Sequence, residues 1–216
     1  MNNIKIVNNF GKDVKVEVNN GEIIITWIKS DKKLSDLKAG DIFKDSNGTD
    51  YIVCEQFKNG ITTVIRRYLL DEKMKFGDTN DWRKSDIREF LNGEYLKELE
   101  EQFGKDNIVE FERDLISLDG YDDYDKCRDK VSIMSVIDYM KYHKYIGNCE
   151  NWYWLLTPDS TSSGYGDGGV RYADSNGRVV CGSFGYDRSV RPFFILKSDI
   201  FVFKGSEEAD ERLIQN

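Results

Sequence analysis

Four carboxylates, Asp119, Asp122, Asp123 and Asp125, gather around Gly120 in an oxygen-rich run of the kind that can hold Ca²⁺. The run lacks the twelve-residue loop and terminal Glu of a full calcium site, so a solvated acidic turn is the preferred reading. Ca²⁺ is expected only if Asp159, Asp167 and Asp174 fold onto it. Gly164-Tyr165-Gly166-Asp167-Gly168-Gly169 has the glycine count of a phosphate cradle. A cradle needs a helix N-terminus after it, however, and Val170-Arg171-Tyr172-Ala173 reads as a strand, so these are turn glycines. His143 is the one histidine and has no nucleophile in its neighbourhood, which leaves a surface or capping role. Cys54, Cys127, Cys149 and Cys181 form no C-x-x-C pair, so free thiols are expected rather than zinc. No catalytic residue and no metal ligand is assigned. What remains is recognition chemistry. Tyr165, Tyr172, Phe184 and Tyr186 lie among glycines and serines between Thr157 and Asp187, and with Asp167, Arg171 and Arg188 they are the candidate binding residues.

Two apolar segments must position that region. Asn151-Trp152-Tyr153-Trp154-Leu155-Leu156-Thr157-Pro158 precedes it and Ser189-Val190-Arg191-Pro192-Phe193-Phe194 follows it. In a strand, Trp152 and Trp154 share one side and are expected in the core. Arg191, inside an apolar strand, is expected to be buried and paired with a carboxylate. Trp152, Trp154 and Arg191 are thus assigned structural roles.

The rest of the chain alternates between strand and helix signals. Val14, Val16 and Val18 at every second position, Asn19-Asn20-Gly21, and then Ile23 to Trp27 predict a β-hairpin. Ile42-Phe43, Asp50 to Gln56 and Ile61 to Ile65, separated by Asn-Gly pairs, predict an antiparallel meander. Ser85 caps a helix that Asn92-Gly93 stops, Tyr95 to Phe103 continues to Gly104, and Val136 to Tyr145 forms a third helix. The stretch from Asn107 to Leu118 returns to strand. Helices flanked by antiparallel strands make an α+β fold.

Composition excludes several function classes. A net charge of −8 and a pI near 4.9 repel nucleic acid and anionic lipid. The tightest basic pair, Arg66-Arg67, is read as a solvated strand edge. No apolar run approaches the ~18 residues of a membrane span. The chain starts Met-Asn-Asn without a basic-then-apolar leader, which favours synthesis in a reducing cytoplasm.

Taken in order, these landmarks resemble a family of uncharacterised domains common in bacteria and their phages. The resemblance is carried by Gly40-Asp41-Ile42-Phe43, Asp50-Tyr51-Ile52-Val53, Ser85 to Asn92, Ile133-Met134-Ser135, Trp152 to Pro158, Val170 to Val179 around Asn176-Gly177, and Val190-Arg191-Pro192. It spans residues 38–197. Leu156-Thr157 stands where the family usually has Arg-Ser. Its closing half is similar to the C-type-lectin-like fold, which includes formylglycine-generating-enzyme-like and phage variable adhesin domains, although Cys149 and Cys181 stand in no matching motif. The resemblance implies a C-type-lectin-like domain of antiparallel strands with two or three short helices (30–200), followed by a C-terminal tail (201–216); the N-terminal β-hairpin (1–29) lies outside the matched region and is read either as an attachment arm that pairs with another subunit or as a hairpin that completes this chain's own sheet. The resemblance further implies a non-enzymatic decoration or adhesin-like protein on a phage virion. Its partners would be other virion proteins, a cell-surface ligand or further copies of itself. A bacterial ligand-binding module of the same fold, or a formylglycine-generating-like enzyme, is the alternative.

Overall fold

A computed structural model describes residues 32–204, with side chains to 203, and the backbone of Asp13–Asn19, Glu22–Ile28 and Leu213–Ile214. The ends of the expected arm, its turn residues Asn20 and Gly21, and most of the expected tail lie outside the described residues. In chain order the strands are β1 (Asp13–Asn19), β2 (Glu22–Ile28), β3 (Lys32–Lys33), β4 (Ile42–Lys44), β5 (Asp50–Phe57), β6 (Ile61–Arg66), β7 (Ile108–Val109), β8 (Phe111–Asp114), β9 (Lys126–Asp129), β10 (Val131–Ser132), β11 (Asn148–Cys149), β12 (Tyr153–Pro158), β13 (Gly169–Ala173), β14 (Val179–Ser183), β15 (Phe193–Lys197), β16 (Phe201–Lys204) and β17 (Leu213–Ile214). The helices are α1 (Asp86–Asn92), α2 (Glu94–Phe103) and α3 (Val136–Ile146). The fold is α+β, and its named strand pairs are antiparallel.

An eight-stranded sheet in the order β10-β15-β6-β5-β4-β16-β3, with β7 also on β15, carries the core. Its central strands β5, β6 and β15 are buried on both faces, and side-chain alternation assigns each residue to a layer. Tyr51, Val53, Val64 and Phe194 pack with Ile87, Leu91, Leu99 and Phe103 of α1 and α2. Ile52, Cys54, Ile65 and Phe193 pack with Tyr139, Tyr142 and Ile146 of α3. The nearly unbroken burial of β5 and β15 follows from this double cover rather than from one wet face. Beyond the expected boundary at residue 200, β16 pairs with β4 and β3 and so belongs to this sheet.

The hairpin β1-β2 forms a two-stranded sheet of its own, with Asn19 opposite Glu22. Ser85 and Ser135 accept hydrogen bonds at the N-termini of α1 and α3, and Asp138 closes a capping box with Ser135. The basic pair read as a solvated edge is not one. Arg67 is buried with Asp50 3.5 Å away, because the chain turns inward at the end of β6 to meet residues 190–192.

Candidate functional site

The site is built on a second sheet, β12-β13-β14, in which Trp154 stands opposite Tyr172 and Val170 opposite Gly182. Alternation splits the candidate binding residues between its faces. Tyr172 and Gly182 look one way, whereas Arg171 and Cys181 look the other, where Arg171 forms an ion pair with Asp159. Val170, Tyr172 and Ala173 are buried, so the glycine-rich region contributes a strand to the core.

Arg188 occupies the centre of the first face. Its backbone is locked by reciprocal hydrogen bonds with Met74, N to O at 3.1 Å and O from N at 3.0 Å. Its guanidinium lies 3.7 Å over the Tyr172 ring, 5.0 Å from Trp154, 5.2 Å from Trp152 and 6.0 Å from Tyr186. Gly182 forms the floor. A Cβ there would meet Arg188 Nη2 at 2.5 Å and Tyr172 Cε1 at 3.0 Å, so only glycine gives the guanidinium this space. Met74 contributes once more, accepting from Trp154 Nε1 at 3.0 Å. Burial pushes the Arg188 guanidinium below its usual range, against an opposing pull from Tyr172 and Tyr186.

Trp152 does not take the core place expected of it. It is 47% exposed, because β12 begins only at Tyr153 and the indole instead stacks on Tyr172 at 5.4 Å with the planes 21° apart. Trp154 is fully buried, as expected. Tyr186 is 64% exposed beside the cluster, while Phe184 packs partly against the core and its carbonyl accepts from Phe76 N. Tyr172 and Arg188 are themselves buried, so they line the site from below and are not part of its outer surface.

Tyr165 and Asp167 are elsewhere, on the exposed loop between β12 and β13. Tyr165 is 98% exposed. The acidic turn holds this loop. Asp119 accepts from Ser160 Oγ at 2.6 Å and from Ser117 Oγ, and Asp123 accepts from Ser163 N and Oγ. Hydrogen bonds from Ser117 and Ser160 hold the Asp119 carboxyl below its usual value, and those from Thr161 and Ser163 do the same for Asp123. Asp174 is committed to the β13-β14 turn, bonding Asn176 and Arg178, so the three aspartates that could have joined the acidic turn do not assemble with it. Among the described residues no group of three or more His, Cys, Asp or Glu stands where it could hold a metal ion.

Arg191 is buried, but among the described residues no carboxylate pairs with it. Its guanidinium donates to the carbonyls of Arg66, Arg67, Ile146 and Gly147 at 2.8 to 3.4 Å. The last turn of α3 leaves the Ile146 and Gly147 carbonyls without helical partners, and a cation there also faces the negative end of the helix dipole. The expected acid is thus replaced by backbone.

Three adjoining hollows run along residues 68–74. The largest, about 380 Å³, is lined by Asp45, Tyr51, Arg66, Tyr95, Glu98 and Gln102, among others. The smallest, about 160 Å³, is lined by Lys73, Glu150, Asn151, Trp152, Asp187 and Arg188 and opens at the aromatic cluster. Lys73 lines all three. Sequence reading selected Tyr172, Tyr186 and Arg188 but missed Lys73, Met74 and Gly182, since nothing local ties residues 73–74 to a loop more than a hundred positions later. No family profile matches the chain, and neither curated proteins nor solved structures give a match.

Proposed function

We propose that this chain is a non-enzymatic binding module. Its recognition face is the rim formed by Trp152 and Tyr186 over buried Arg188, with Tyr165 on the neighbouring loop. The observation that carries this reading is the meeting of Trp152, Tyr172 and Tyr186 around the Arg188 guanidinium, beside a hollow lined by Lys73, Trp152 and Arg188, with Trp152 and Tyr186 exposed. Exposed tyrosine and tryptophan side chains offer large contact area at small entropic cost. The absence of a role for the thiols fits a binding protein better than a formylglycine-type enzyme. Burial raises Cys54, Cys149 and Cys181 and raises Cys127 to about 11, so each disfavours the nucleophilic thiolate at neutral pH.

Within this reading the fold is a C-type-lectin-like display domain, and the protein decorates a phage particle or serves as its adhesin, with the hairpin β1-β2 as the attachment arm. Pairing of the hairpin with another subunit's sheet is the physical route. Density-gradient sedimentation of particles from the cells that make this protein tests the assignment. Co-migration at fixed stoichiometry is expected, and Tyr186→Ala with Trp152→Ala should abolish ligand capture without releasing the protein from the particle. A chain that remains at the top of the gradient as a lone monomer would return the assignment to a bacterial ligand-binding module.

A further inference from the structure

Arg188 is 91% buried by its 9% relative exposure, yet among the described residues its side chain makes no hydrogen bond and no ion pair. Its Nε is buried without an acceptor. A guanidinium carries five donors, and a buried cation without a counter-charge is unfavourable unless something completes it. Arg67 and Arg113 also leave a buried Nε without an acceptor, but each has an anion beside it, Asp50 and Asp138, as Arg191 has four carbonyls. The rings around Arg188 offset part of the charge, but ring faces leave in-plane donors unused.

We propose that Arg188, with Lys73, Asn151 and Trp152, binds the carboxylate of an acidic saccharide. Arg188 and Lys73 supply two positive charges to one 160 Å³ hollow, and neither forms an ion pair with the rim acids Glu150 and Asp187 among the described residues. A guanidinium fork matches a carboxylate through two parallel hydrogen bonds. The hollow is smaller than the roughly 300 Å³ at which sites for whole small molecules begin, so it takes an acidic end group with the ring it is attached to held at the rim. Trp152, about half exposed, stands there to pack against an apolar sugar face, and Asn151 and the two rim carboxylates meet hydroxyl groups. The same two carboxylates, and the −8 net charge, disfavour an acidic peptide or nucleic acid, whose charge repeats along the chain. This inference rests on the recognition face described above and names the chemistry it reads.

The test titrates the full-length protein with glucuronate, glucose and inorganic phosphate. Indole fluorescence and the Nε–H resonance of Arg188 are followed, and Trp152→Phe identifies the responding indole. Glucuronate is expected to shift both signals and glucose neither. Arg188→Gln should weaken glucuronate at least tenfold, and Lys73→Gln, at an exposed side chain that cannot unfold the protein, severalfold. Binding of phosphate as tight as glucuronate would overturn the saccharide assignment, and undiminished glucuronate binding by both variants would overturn the site. If no saccharide binds while Tyr186→Ala with Trp152→Ala still abolishes ligand capture from particles, this inference falls and the recognition face stands.

Discussion

Arg191 and Asp129 are buried charges on which separate segments converge. Removing the Arg191 guanidinium leaves carbonyls at the ends of β6 and α3 without donors, each at roughly 1–3 kcal/mol. Arg191→Ala should therefore lower the unfolding free energy by about 3–5 kcal/mol in a urea melt. Arg191→Lys should recover less than half, because one ammonium cannot span the fork. A melt unchanged by Arg191→Ala would refute this role. Asp129 accepts from Trp82 Nε1 and Arg88 Nε, both at 2.7 Å, joining the segment before α1, α1 itself and β9. Asp129→Ala is expected to cost about 3 kcal/mol, and a loss under about 1 kcal/mol would show that Trp82 and Arg88 find other acceptors. No local pattern marks Asp129 in the sequence, since its partners lie 41 and 47 positions away.

At the scale of elements, α3 is the clearest case, because its span from Val136 was legible in the sequence, whereas its Ser135 cap and its docking were not. Ser135→Ala removes the cap acceptor for Asp138 N and should destabilise by about 1 kcal/mol, read in the same urea melt. Burial pushes the Asp138 carboxyl up, but the Arg113 guanidinium and the Ser135 backbone and hydroxyl outweigh it and hold it below its usual value. A depressed carboxyl stabilises the fold fully above its unfolded value of about 3.9 and loses that contribution as pH falls through the folded value. The melting temperature should thus fall on acidification below about pH 4, and Asp138→Asn should flatten that part of the profile. An identical profile for the variant would exclude Asp138 as the titrating group. The loop carrying Tyr165 depends in the same way on Asp123, and Asp123→Asn should speed amide exchange of Ser163, leaving the core amides unchanged.

Among the described residues the hairpin β1-β2 forms a two-stranded sheet of its own, separate from the doubly covered eight-stranded sheet, whose first strand in the chain is β3, and from the sheet β12-β13-β14. Deleting residues 1–31 should leave the melting temperature within about 2 °C, since no strand of the central sheet is lost. If the hairpin is the attachment arm, the same deletion should release the protein from particles in the gradient. A collapse of the cooperative melt would instead make the hairpin part of this chain's own fold.

Alternating valines, Asn-Gly turns and Ser caps act over a few residues, and for that reason the hairpin, the meander and all three helices could be read from the sequence alone. So could the candidate status of Tyr172, Tyr186 and Arg188, whose polar and aromatic types stand out among glycines. The tertiary structure alone decided which of these residues meet. Strand alternation sent Arg171 away from Tyr172, the late start of β12 left Trp152 at the surface, and the crossing of residues 74 and 188 placed an arginine without an anion over the rings. These outcomes depend on register and on contacts far apart in sequence. A one-residue shift reverses the face each side chain occupies, and no local propensity encodes that choice.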